Sequence, residues 1–181
     1  MIDLFLKGGP LMWPIFFCSI LALAITIHKT IQFKVVLQYI QQPLSDLIVA
    51  PAMHIASYLD ALKRYEDKKR ISLVGSKELS NLEKGVGVLS LIAAIAPLLG
   101  LTGTVLGMID SFRVIAAHGN NAQIGLLASG IWEALITTAA GLLVAIPVEC
   151  AYHYLERTLD GISIAMQELS IKFEDECNDR I

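Results

Sequence analysis

The chain has 181 residues, 55% of them hydrophobic and 17% charged, with a net charge of -3 and a mean hydropathy of +0.61. Soluble domains carry about 25% charged residues, so this composition points to an integral membrane protein. With no basic block in the chain, a nucleic-acid footprint is excluded.

The first apolar tract, LMWPIFFCSILALAITI at residues 11–27, stops at His28 and Lys29. Its length suits a bilayer-spanning helix. A signal peptide carries its positive charges before its apolar core. Here Lys29 and Lys34 follow the tract, which favours a retained helix over about residues 11–28. In the next segment, residues 29–84, Pro43 and Pro51 break the emerging helix. HIASYLDALKRYEDKKR at residues 54–70 then reads as a helical stretch, with Ile55, Leu59 and Leu62 on one side and a run of charges at its end.

The second tract, GVGVLSLIAAIAPLLGLTGTVLGMI at residues 85–109, has no charge and predicts a span over about 86–109. Gly103 and Gly107 form a small-xxx-small pair that permits close helix approach, and Thr102 and Thr104 have helix carbonyls to bond back to. Alone, these features describe ordinary membrane packing. Gly119 and the polar residues after it offer a turn, so the second and third spans make a hairpin with a connector over residues 110–122.

The third tract runs from near Ala122 to Val148, interrupted only by Glu133, and predicts a span over about 123–149. An acid near the bilayer centre costs about 2.5 kcal/mol or more, and such residues usually face a bundle interior or a wet cavity. Ser129, Glu133 and Thr137 recur every four residues and form one polar strip. Thr138 lies about 100 degrees around the helix, and Glu149 returns near its azimuth. One helix thus carries two polar directions, suited equally to a proton route and to a structural clamp between helices. Pro97 and Pro147 each remove a helix hydrogen bond inside a span. Beyond the third span, Leu155, Leu159, Ile162, Met166, Leu169 and Phe173 recur at helical spacing over 150–181. That pattern predicts a continuous helix seeking a partner, either another copy of the chain or the short helix of the 29–84 segment.

Lys and Arg counting over short loops sets the orientation. The 29–84 segment holds Lys29, Lys34, Lys63, Arg64, Lys68, Lys69, Arg70, Lys77 and Lys84, against Arg113 alone in the hairpin connector. The expected fold is therefore an all-α integral membrane protein of one domain, with three transmembrane helices, the N-terminus out and the C-terminus in, and cytoplasmic helical extensions.

Chemistry-bearing motifs are few. GxSxG, HExxH, Walker A and dinucleotide fingerprints are absent, and His28, His54, His118 and His153 are dispersed. Cys18, Cys150 and Cys177 are scattered and lack a second ligand at metal spacing. No enzyme, metal or cofactor is expected.

APLLGLTGTVLGMIDSF at residues 96–112 and GIWEALITTAAGLLVAIP at residues 130–147 together resemble the MotA/TolQ/ExbB proton-channel family, closest to its three-span ExbB/TolQ branch. The resemblance implies a homopentameric ring in the bacterial inner membrane, with the second and third spans lining a pore. It also implies two copies of a one-span ExbD/TolR-like partner whose aspartate takes up and releases protons, and a TonB-like or TolA-like protein that receives the work. On this resemblance Thr104 and Thr138 are pore-lining hydroxyls, and Glu133 is the family acid of pore function or assembly. Thr137, Pro147, Glu149, Gly103 and Gly107 support the pore or an interface. After Pro147 the chain reads VECAYH, placing Glu149 where relatives have small apolar residues and His153 where asparagine is common. The expected function is a proton-conducting stator that couples protonmotive force to envelope work. Its alternative is a non-conducting membrane scaffold that stabilises the one-span partner, with Glu133 as a buried tie.

Overall fold

The computed structural model describes residues 8–40, 56–64, 68–118 and 124–178. Among the described residues all regular structure is helical: α1 (Met12–Ile40), α2 (Ala56–Lys63), α3 (Lys68–Glu83), α4 (Val86–His118) and α5 (Ile124–Asn178). Three of these, α1, α4 and α5, are long and apolar enough to cross a membrane.

Several boundaries differ from the sequence expectation. Helix α4 continues past the apolar tract to His118, so most of the expected 110–122 connector is helical. Continuing the helix satisfies carbonyls that would otherwise end it, and the Arg113–Asp110 pair at 3.3 Å lies along that extension. The stretch expected as one helix over 54–70 instead gives α2, ending at Lys63, and the start of α3. Helix α3 itself was not anticipated, because its sequence KKRISLVGSKELSNLE has few apolar residues and a central glycine. The expected continuation of the third span holds: α5 runs unbroken through Pro147 and Gly161 to Asn178. Pro43, Pro51 and Ile55 lie outside the described residues, as does the turn expected at 119–123.

The chain divides into two compact units. The first takes residues up to Ile25 together with Val88–Tyr152. Its buried seam is made of small residues at intervals of three and four: Ala93, Ala96, Gly100 and Gly103 on α4, and Ala134, Thr137, Gly141 and Ala145 on α5. Ile15, Leu89 and Ile92 are buried beside them, but many other large apolar side chains point outward, including Phe17 at 74% and Leu143 at 73% exposure. That inversion is the membrane pattern, since lipid is as apolar as leucine and close backbone approach becomes the main source of helix association.

The second unit takes Thr26–Gly87 together with residues from His153 onward. Here the buried side chains are large: Phe33, Leu59, Leu82, Leu155 and Ile162. The Tyr58 hydroxyl of α2 donates to Met166 O of α5 at 2.6 Å. Burial pushes the Tyr58 phenol above the usual tyrosine range, and a hydrogen bond with Ser170 pulls it partly back. Gly85, at φ 94°, adopts the left-handed conformation that ends α3 before α4 begins. Lys29 of α1 is buried and donates its Nζ to Leu82 O at 2.8 Å and to Gln32 Oε1 at 3.1 Å. A cation thus meets one of the unpaired carbonyls at the negative end of α3.

Candidate functional site

All eight residues singled out by the sequence fall on α4 and α5 within the first unit. The two helices are zipped antiparallel along small residues. A β-carbon at Gly100 would stand 2.9 Å from Thr138 Cα, and one at Gly103 would stand 2.7 Å from Thr137 Cγ2. Further along, the same construction at Gly107 meets Gly130 O at 2.7 Å and Ala134 Cβ at 2.9 Å. The backbones therefore approach as closely as hydrogen side chains allow, which is the geometry small-xxx-small patterns permit.

This approach brings Thr138 within reach of the neighbouring backbone. Its Oγ1 donates to Gly100 O at 2.9 Å, and the side chain is half-buried. Thr104, also half-buried, lies one helical turn beyond Gly100, roughly 6 Å along the axis. Its Oγ1 donates to Leu101 O at 2.7 Å. Both hydroxyls spend their proton on a carbonyl and keep oxygen lone pairs available to accept from water. Thr104 also borders a groove of about 250 Å³, shared with Met108, Ser111, Phe112, Ile131 and Leu135. Ser111 Oγ turns onto its own helix, donating to Gly107 O at 2.8 Å, so the groove wall is apolar.

Thr137 is placed differently from Thr138. It is 1% exposed and wedged against Gly103, and its Oγ1 donates to Gly8 O at 3.0 Å while lying 2.8 Å from Glu133 O. Glu133 is half-buried one turn earlier, beside Gly9. Pro147 and Glu149 are exposed on the same helix, and His153 beyond them pairs with Glu156 at 3.2 Å. The structure thus brings Thr104 and Thr138 to one stretch of the hairpin and Glu133 and Thr137 to another face of it, with Pro147 and Glu149 two to three turns further along α5. Sequence reasoning missed Gly8 and Gly9 as neighbours of that second face. The Gly-Gly-Pro run before α1 signals a turn, though not where the turn lands.

These features define a multi-pass helical membrane protein whose distinctive element is a hairpin closed by glycine and carrying hydroxyls along its seam. Residues 38–168 match the MotA/TolQ/ExbB proton channel family, and the chain belongs to it. It is 37% identical over 169 residues to a protein named putative biopolymer transport protein ExbB-like 1 from Synechocystis, covering 81% of this chain and 66% of that one. A protein of the same printed name from Helicobacter pylori is 33% identical over 153 residues, covering 82% and 80%. The Tol-Pal system protein TolQ of Haemophilus influenzae is 36% identical over 94 residues, covering 52% of this chain and 41% of TolQ. The expected family, and its ExbB/TolQ branch, are therefore found. The family is one of channels.

Proposed function

We propose that the chain is the ring-forming, proton-conducting subunit of an inner-membrane motor of the ExbB/TolQ kind, without enzymatic activity. Five copies would surround a pore lined by α4 and α5, and two copies of a one-span ExbD/TolR-like partner would stand in it. The partner's aspartate carries the proton, while Thr104 and Thr138 hold water or hydroxyl contacts around it. Glu133 tunes that path from the neighbouring face. The proposed orientation keeps the N-terminus and the hairpin connector expected over 110–122 outside, and the 29–84 segment and the C-terminal tail in the cytoplasm, in line with the Lys and Arg count. A potential of about 100 mV supplies roughly 2.3 kcal/mol per charge, so several protons provide enough energy for a mechanical step. A TonB-like or TolA-like protein would receive the work, as the biopolymer-transport and Tol-Pal names of the relatives suggest.

The observation that carries this reading is the placement of Thr104 and Thr138 one turn apart on the glycine-zipped hairpin, inside the family-matched region. Proton flux into vesicles that hold the purified chain and its partner tests it. Thr138→Ala complexes should assemble and conduct poorly. Assembled Thr138→Ala and Thr104→Ala complexes that conduct like the parent would sink the assignment and favour the scaffold. The scaffold reading draws on one observation, the burial of Thr137 between Gly103 and Gly8, which is a structural joint. Mass measurement of the solubilised complex tests the pentamer, with a stable monomer counting against it.

A further inference from the structure

Just before α1 the chain turns at residues 8–11, where Met12 N donates to Gly9 O at 3.2 Å and Trp13 N to Pro10 O at 3.4 Å. This turn lies against one turn of α5. Gly8 O accepts from the buried Thr137 hydroxyl at 3.0 Å. A β-carbon at Gly8 would stand 3.3 Å from Ile136 Cγ2. Glu133, Ile136 and Thr137 share one helix face, at positions i, i+3 and i+4. The Thr137 hydroxyl has a single proton with two carbonyls in reach, Glu133 O in its own helix and Gly8 O in the turn. Of these two bonds, the one to Gly8 ties the turn to α5.

Gly9 makes the most specific contact. Its φ is 72°, in the left-handed region. A β-carbon there would run into the Glu133 carboxylate oxygen and would stand 3.0 Å from its Cδ and 3.5 Å from its Cγ. The Glu133 side chain therefore occupies the space that any other residue at position 9 would fill.

We propose that Gly8 and Gly9 are positioning residues for the Glu133 carboxylate. The Thr137–Gly8 hydrogen bond anchors the turn, and the bare backbone of Gly9 forms the wall along which the carboxylate lies. The inference rests on the reading above that Glu133 acts on the proton path. Glutamate has three rotatable bonds, and a wall on one side restricts the rotamers it visits. Since the influence of a charge on a nearby proton falls with distance, fixing the carboxylate fixes its effect on the path.

The test is steric complementation, measured as proton flux per assembled complex of the full chain with its one-span partner in vesicles. Gly9→Ala should lower flux about threefold or more, by forcing the Glu133 side chain out of its rotamer. Gly9→Asn should do the same although asparagine tolerates the left-handed conformation, which separates the β-carbon from backbone strain. Glu133→Asp is one methylene shorter and withdraws the carboxylate, so the double variant Gly9→Asn/Glu133→Asp should conduct to within about twofold of Glu133→Asp alone. Parent-like flux in both Gly9 variants, or losses that simply add to that of Glu133→Asp, would overturn the proposal. If the Gly9 variants fail to assemble, recovery of assembly by Glu133→Asp supports it and no recovery overturns it. Glu133→Gln separates the two layers. Parent-like conduction by Glu133→Gln removes the role of Glu133 and the positioning role with it, whereas a loss with neutral Gly9 variants removes the positioning role alone.

Discussion

The Thr138 hydroxyl donates to Gly100 O at 2.9 Å across 38 residues of sequence, linking α5 to α4 at the point where a β-carbon on Gly100 would stand 2.9 Å from Thr138 Cα. The hydrogen bond depends on the close approach, and the close approach depends on glycine. Interhelical hydrogen bonds in membranes contribute about 0.6 kcal/mol on average and up to about 1.7 kcal/mol. Thr138→Ala should therefore lower stability by no more than about 1.7 kcal/mol while reducing proton flux far more than that loss explains. Thr138→Ser, which keeps the donor, should retain most of both. Thermal unfolding in detergent and flux in vesicles, measured on the same preparations, check the split.

Glycines on the same two helices predict opposite outcomes. At Gly103 an added side chain meets the buried Thr137 Cγ2 at 2.7 Å and Cβ at 2.8 Å, and a β-branched threonine has little rotamer freedom to move aside. Gly103→Val should destabilise by about 1–3 kcal/mol, the usual cost of overpacking. At Gly161 a β-carbon meets nothing within 4 Å and the residue lies inside α5. Gly161→Ala should stabilise by about 0.5–1 kcal/mol through helix propensity. Denaturant or thermal midpoints of the two variants should move in opposite directions.

What was readable in the sequence was local. The three apolar tracts, the helical spacing of Leu155, Ile162, Met166 and Leu169, and the two polar azimuths of α5 all follow from residues a few positions apart. Helix α3 escaped because its burial is sparse, resting on Ile71, Leu82 and the approach of Gly75 to Tyr58. The difference between Thr137 and Thr138 was legible as an angle around the helix. That Thr137 is a buried joint was not, since its acceptor, Gly8 O, is 129 residues away. The Gly9–Glu133 contact and the seat of Lys29 on Leu82 O likewise join residues that no local pattern connects.

Lys29 illustrates a second kind of tie. Its Nζ reaches Leu82 O at 2.8 Å and stands 5.9 Å from the Phe33 ring centroid. Lys29→Met keeps the stem and leaves the Leu82 carbonyl without this donor, at a cost of about 1–3 kcal/mol if the group stays buried. Lys29→Arg retains charge and donors and should recover part of the loss. Faster amide exchange in the last turn of α3, around residues 80–84, should accompany the methionine variant and not the arginine one.

Tyr58 offers a pH test within the second unit. Burial favours its neutral phenol, so the folded-state pKa lies above that of the unfolded chain. For such an acid the folded state binds more protons than the unfolded state once pH passes the unfolded value near about 10. Stability is therefore unaffected by this group below that pH and falls as pH climbs toward the folded value. Tyr58→Phe removes the titration together with the 2.6 Å bond to Met166 O. At neutral pH the variant should be less stable by about 1 kcal/mol, the usual net worth of one hydrogen bond and somewhat more if Met166 O finds no water. Above about pH 10 the gap between parent and variant should narrow, because the parent's unfolded chain is favoured by ionising at Tyr58 and the variant's is not. Chemical denaturation at pH 7.5 and pH 10.5 measures both, and a gap that stays constant or widens with pH would show that burial of the neutral phenol is not what couples this tyrosine to the fold.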